Sequence, residues 1–209
     1  MKTTLILLLL LLSGCNVVGY AAYAMRGPTK VPAAYDLAAE PTLLVVENAK
    51  QPQVGEILAE QLASLVADKL EKAAPTVVLV DEFEELSFAI VEERKSLRQM
   101  GEDAGATRVV YIDLQNLRVR AITGTDSYVG RAEVSVKVLD VTTGTIAFPT
   151  TQSGGVPVTA QTEREPFENR RPGEVRTQVL NQLATNIARL FYDHSIEEKG
   201  LGGPDDEDS

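Results

Sequence analysis

One histidine, one cysteine and 30 carboxylates are the side chains through which this sequence could do chemistry. His194 stands beside Asp193, the pairing used by a general base and the carboxylate that orients it. A nucleophile would have to complete that pair, and no Gly-x-Ser-x-Gly elbow occurs in the chain. The pair falls just past an apolar stripe, where an imidazole complements the negative end of a helix dipole. Asp81, Glu82, Glu84 and Glu85 offer oxygen ligands of the type that hold Ca²⁺. Their spacing differs from an EF-hand loop and no glycine interrupts them, so a solvated, acidic helix start is expected. Gly124, Gly130, Gly154 and Gly155 match no phosphate-binding pattern and read as turn glycines. In a polar stretch, Arg164, Phe167, Arg170 and Arg171 set a ring among guanidinium groups, the composition of a partner-binding patch. No catalytic residue, metal or cofactor is expected, and the chain reads as non-enzymatic.

Cys15 has a different use. The chain is apolar without a break from Leu5 to Leu12. As a helix that run spans about 12 Å, far short of the roughly 30 Å hydrocarbon core of a bilayer. Lys2, this run, and the small residues Ser13 and Gly14 have the layout of a secretory signal peptide. The phrase Leu12-Ser13-Gly14-Cys15 resembles a bacterial lipobox. The resemblance implies cleavage before Cys15, lipid on its thiol and an anchor in a bacterial membrane. Asn16 follows, where an Asp would resemble an inner-membrane retention signal. The implied location is the cell envelope, periplasm-facing, at the outer membrane.

The arithmetic of the whole chain agrees. It has 209 residues, 44% of them hydrophobic, and a net charge of −10. That is enough apolar material for one core, and too little basic charge for nucleic acid as a partner. A single Cys excludes an internal disulfide. Without residues 1–14 the chain keeps 19 cations against 30 acids, a net −11. Glu197–Ser209 carries six acids and one Lys, and its glycines and Pro204 leave nothing to bury, so a disordered acidic tail is expected. Residues 15–41 read as the lipidated cysteine and a proline-interrupted tether. Residues 42–196 read as a single domain.

Within that domain the apolar pattern changes period in order. Leu43–Val46 is a short buried strand. Val54, Leu58, Leu62, Leu65, Val66 and Leu70 make one face of a helix of about four turns, and Pro75 ends it. Thr76–Val80 is a second, β-branched strand, which completes a β-α-β unit. After the acidic helix-prone stretch 81–93, Ser96 and Gln99 form a capping box for a helix that stops at Gly105. In Val109–Ala121 the apolar positions switch from even to odd, which predicts a β-bulge at Gln115-Asn116. Tyr128–Leu139 alternates strictly, and Arg131, Glu133 and Lys137 lie on its wet face. Gly144 turns the chain into Thr145–Phe148. Residues 149–172 form a long connection, functional or holding an edge strand at Val156–Ala160. Val175–Phe191 is a last amphipathic helix. The order is β-α-β-α-β-β-β-α, an α/β (α+β) fold with a mixed sheet of about five strands and helices mainly on one face.

This order, with the phrases Gly101–Ile112 and Val136–Gly144, resembles one periplasmic α/β domain. That domain is shared by the curli-secretion lipoprotein, the lipoprotein activators of penicillin-binding proteins and the amino-terminal domain of the Tol translocation protein. The resemblance covers about residues 41–194 and implies a fold and a compartment, with no catalytic residues to carry over. No pair of long alternating segments suits a membrane barrel, so a curli-type pore is not implied. The expected role is a lipid-anchored, protein-binding accessory module in the periplasm. Its expected partner is an envelope protein, met through the loop arginines and through Arg131 and Lys137. A homo-oligomeric component of a secretion or export assembly is the alternative.

Overall fold

The structure is a computed structural model that describes residues 29–37, 40–48, 52–75, 77–79, 96–151, 154–168 and 171–196. Cys15, the acidic stretch 81–93, Arg170 and the tail 197–209 lie outside the described residues.

The elements are β1 (Thr29–Val31), β2 (Pro41–Glu47), α1 (Pro52–Ala73), β3 (Val78–Leu79), α2 (Leu97–Asp103) and β4 (Arg108–Ile122). They continue with β5 (Ser127–Asp140), β6 (Thr145–Phe148), β7 (Val156–Gln161), β8 (Glu165–Pro166), α3 (Pro172–Ala188) and β9 (His194–Ile196). The chain divides into two compact units. In one, β1 and β9 pair antiparallel, Val31 opposite His194. The other, Ala33–Tyr192, holds the main sheet. Leu37, on the tether side of the boundary read from the sequence, is buried in this core. The N–H groups of Ala34 and Tyr35 donate to Leu190 O at 2.8 and 3.0 Å.

The sheet runs β3-β2-β4-β5, and β6, β7 and β8 follow one another along the second edge of β5. β2 is parallel to β3 and to β4, as the β-α-β reading requires; β4, β5 and the edge segments are antiparallel. The mixed α/β fold expected from the sequence is the fold observed. Much of the long connection is a broken edge strand: β7 and β8 satisfy β5's outer hydrogen-bonding groups, which a buried strand must have paired. The first helix, with 22 residues, is longer than the four turns its apolar face suggested. Beyond that face it takes in Pro52 and Gln53 at its start, where the first turn tolerates a proline, and the good helix formers Glu71, Lys72 and Ala73 at its end.

α1 and α3 pack on each other and on one face of the sheet. There Val110, Ile112, Leu114, Val134, Val136 and Val138 meet Leu62, Val66, Leu70, Leu180, Leu183 and Ile187, nearly all fully buried. Each such side chain contributes about 1.5–3 kcal/mol on leaving water. α3 approaches the sheet closely at Gly130. A Cβ there would lie 3.2 Å from Val175 Cγ1 and 3.2 Å from Val179 Cβ, so any larger residue would require the helix side chains to give way. Among the described residues, the helical cover of the other face lies at one end. Met100 of α2, with Ala104 and Ala106 just after the helix, packs over Leu43, Val45, Val109, Leu139 and Val141. Its capping box is formed: Gln99 N donates to Ser96 Oγ at 3.3 Å, and Ser96 N donates to Gln99 Oε1 at 2.9 Å.

Candidate functional site

Among the described residues, what α2 leaves uncovered is an open, polar sheet face, and the bulge in β4 decides which side chains stand on it. The β4–β5 register steps between Leu114 and Asn116. Gln115 is skipped, and the strand reverses the phase of its side chains. Beyond the bulge Leu117 and Val119 turn to the helical side, opposite Ala132 and Gly130. Asn116, Arg118 and Arg120 turn outward. On β5 the outward set is Lys137, Ser135, Glu133, Arg131 and Val129, and on β7 it is Pro157, Thr159 and Gln161.

The register pairs Asn116 with Glu133, Arg118 with Arg131, and Arg120 with Val129. Side chains directly opposite on antiparallel strands have Cβ atoms about 4.5–5.5 Å apart. Arg118, Arg120 and Arg131 are all exposed. Gln161, the next residue across the sheet, orients Arg131: its Oε1 accepts from Arg131 Nε at 3.0 Å and Nη2 at 2.6 Å. Among the described residues Arg118 and Arg120 form no ion pair. Thr162 Oγ1, buried beside this row, accepts from Gly130 N at 3.0 Å and fixes the strand edge.

The covered end of the same face has a different chemistry. Tyr111, half-buried, donates its hydroxyl to Glu47 across the parallel β2–β4 pair. Burial, and then that hydrogen bond, push the Tyr111 phenol well above its ordinary value. Lys137 stands opposite Tyr111. Ser135 donates to Gly154 O, and Gly155, at φ 86°, packs against Lys137, where a Cβ would come within 2.9 Å of its Cγ.

The residues proposed from the sequence thus fall in different places. Arg131 is exposed at the hairpin end of the face. Lys137 is six residues along the same strand, about 20 Å away, and partly covered by the backbone of Gly155. Phe167 stacks on Tyr128 with ring centroids 4.3 Å apart, and its N–H donates to Asp126 O at 2.8 Å. Tyr128 pairs with Ala121, on the helical side of the hairpin. Arg164 is exposed between β7 and β8. Arg171 is the residue before α3, and its backbone N–H donates to Glu174 Oε2 at 3.3 Å. Arg170 lies outside the described residues. Arg118 and Arg120 are the additions, and their signal was present. An expected bulge at 115–116, followed by a hairpin turn at Gly124, sets the register that puts Arg118 opposite Arg131. Among the described residues no group of acids, His and Cys could hold a metal ion, and no helix is long and apolar enough to cross a membrane.

No family model matches the chain, and no curated relative matches it. Solved structures similar to it include the PelC dodecamer from Paraburkholderia phytofirmans, 14% identical, covering 78% of this chain and 96% of that one, with a TM-score of 0.40. Lipoprotein GNA1162 from Neisseria meningitidis is 16% identical, covering 69% of this chain and 98% of that one, with a TM-score of 0.41. The hypothetical protein CT253 from Chlamydia trachomatis is 10% identical, covering 71% and 95%, with a TM-score of 0.42. At these identities and scores the likenesses bring no function to this chain.

Proposed function

We propose that the chain is a lipid-anchored protein of the bacterial cell envelope, facing the periplasm from the outer membrane, whose domain is a non-enzymatic binding module. Its partner is another envelope protein that presents carboxylates to the open sheet face. The lipobox-like phrase ending at Cys15 supports the anchor and the compartment. The observation that carries the binding role is the exposed row Arg118, Arg120 and Arg131, with Arg118 directly opposite Arg131. Like charges facing each other across a ladder cost stability, and an acidic partner turns that cost into charge-assisted hydrogen bonds, the stronger class of such contacts. A row of guanidinium groups, one of them oriented by Gln161, recognises charge over an area, as a protein interface does.

The test is recovery of a partner from crosslinked envelopes. The unaltered protein should bring down a second protein, and the double reversal Arg118→Glu with Arg131→Glu should lose it while staying folded and membrane-bound. Equal recovery by the reversed variant would remove the open face from the account. Recovery of nothing but further copies of this chain would support the oligomeric reading in its place.

A further inference from the structure

The charges on the open face are sorted along the strands. Glu47 and Asp113 stand side by side on β2 and β4, level with Ser135 of β5. One row nearer the hairpin, Glu133 stands opposite Asn116. The next row holds Arg118 opposite Arg131, and the one after it Arg120 opposite Val129. Successive rows on one face lie about 7 Å apart. Two acidic rows are thus followed, at the same spacing, by two basic ones. Among the described residues Glu133, Arg118 and Arg120 form no ion pair.

We propose that two copies of this chain associate face to face through this surface, in a weak isologous dimer that covers the arginines when no other partner is bound. The inference rests on the reading of the open face as a binding surface, and names what it holds at rest. The order of charge is complementary to itself. A half-turn about an axis across the strands, between the Glu133 and Arg131 rows, exchanges the acidic rows with the basic ones. Arg131 of each copy then meets Glu133 of the other, and Arg120 of each meets Asp113 of the other. Packed sheets cross at about 30°, which displaces distant rows most. The Glu133 and Arg131 rows lie only about 3.5 Å from the axis, so their pairing survives that angle. A bilayer would answer the arginines and repel the acids beside them, whereas a second copy answers both. Each copy is net negative, but at 0.15 M salt the screening length is about 8 Å, so the facing rows outweigh more distant charges. From Tyr111 to the hairpin turn, over β4, β5 and β7, the face measures about 35 Å by 15 Å. Two copies would cover roughly 1,000 Å², the low end for specific association. A contact that small is one an acidic partner can displace.

The experiment uses the full chain with Cys15→Ser, which removes the lipid site, and reads mass by sedimentation equilibrium. The mass should rise from one chain toward two between about 10 μM and about 1 mM. Arg131→Glu alone and Glu133→Arg alone each set like charges together twice per dimer, and each should weaken association by about tenfold or more. An equimolar mixture of the two variants restores both pairs and should dimerise as the parent does. Unchanged amide spectra away from the face confirm that each variant folds. A parent that stays a single chain would overturn the proposal. So would variants that associate like the parent, a mixture that stays monomeric, or assemblies that grow beyond two chains. If the parent is monomeric but Arg118→Glu with Arg131→Glu still abolishes partner recovery, self-association is excluded and the binding surface stands. If the charge swap governs the dimer while partner recovery ignores the arginines, the dimer stands and the acidic partner falls.

Discussion

Arg118 stands directly opposite Arg131 in the β4–β5 ladder, both side chains on the solvent side of the sheet. The pairing follows from one skipped residue. Without the bulge at Gln115, Arg118 would point into the helices and Leu117 into water. The bulge therefore keeps Leu117 on the core side and gathers Arg118, Arg120 and Arg131 on the open face.

This pairing should cost the folded state something that function repays. Arg118→Glu makes an opposite-charge cross-strand pair of a like-charge one and should raise stability by about 0.2–1 kcal/mol, read from urea unfolding. The same variant should bind its partner less well. A variant that is both less stable and undiminished in binding would contradict the assignment.

Close approach at the buried Gly130 should make it sensitive to substitution. Gly130→Val drives a branched side chain into Val175 and Val179, whose atoms already lie 3.2 Å from the place of a Cβ. The expected loss is about 1–3 kcal/mol, as for an overpacked core. Gly173→Ala, in the first turn of α3 with nothing within 4 Å of its Cβ position, is the control and should be neutral or slightly stabilising.

Stability should fall at both ends of the pH scale, for separate reasons. Tyr111 has its pKa raised by burial and by Glu47, so the folded state holds a proton that the unfolded chain releases from about pH 10 upward. Its contribution is complete below that pH and is lost above it. Asp140 has its pKa lowered, first by the backbone N–H of Thr143, which donates to Oδ1 at 2.8 Å. Its contribution is present above about pH 4 and is lost as the pH falls. Denaturation of Tyr111→Phe should show a lower plateau at neutral pH and a shallower decline above pH ~10 than the parent.

The anchor makes a separate prediction. Cys15→Ser should move the protein from the membrane fraction to the soluble periplasmic fraction, measured by detergent-phase partitioning. An unchanged distribution would remove the lipid from the account.

Most of the fold was legible because its signals are local or periodic. Alternation in 128–139, the phase switch at 115–116 and the Ser96–Gln99 box each act within a few residues, and each is present. The full length of α1 is not legible, because its last residues, Glu71–Ala73, carry helix propensity without extending the apolar stripe. The edge segments β7 and β8 were only half visible, since an edge strand is specified by the partner it pairs with. The site was legible in pieces. Arg131 was found from its own strand, whereas Arg118 and Arg120 required two strands to be aligned through their turn. Alternation places Lys137 on the same face as Arg131 without giving the distance along it, and Gly155, which partly covers Lys137, arrives from a later segment.

The central claim is that the open face, and not the helical side, meets a partner. Photo-crosslinking in living cells tests it most directly. One probe replaces Thr159, exposed on the open face opposite Glu133; the other replaces Gln182, exposed on α3. The account predicts a discrete adduct with a second protein from position 159, absent when Arg118 and Arg131 are reversed to Glu, and none from position 182. The opposite pattern, an adduct from 182 alone or one from 159 indifferent to the arginines, would contradict it.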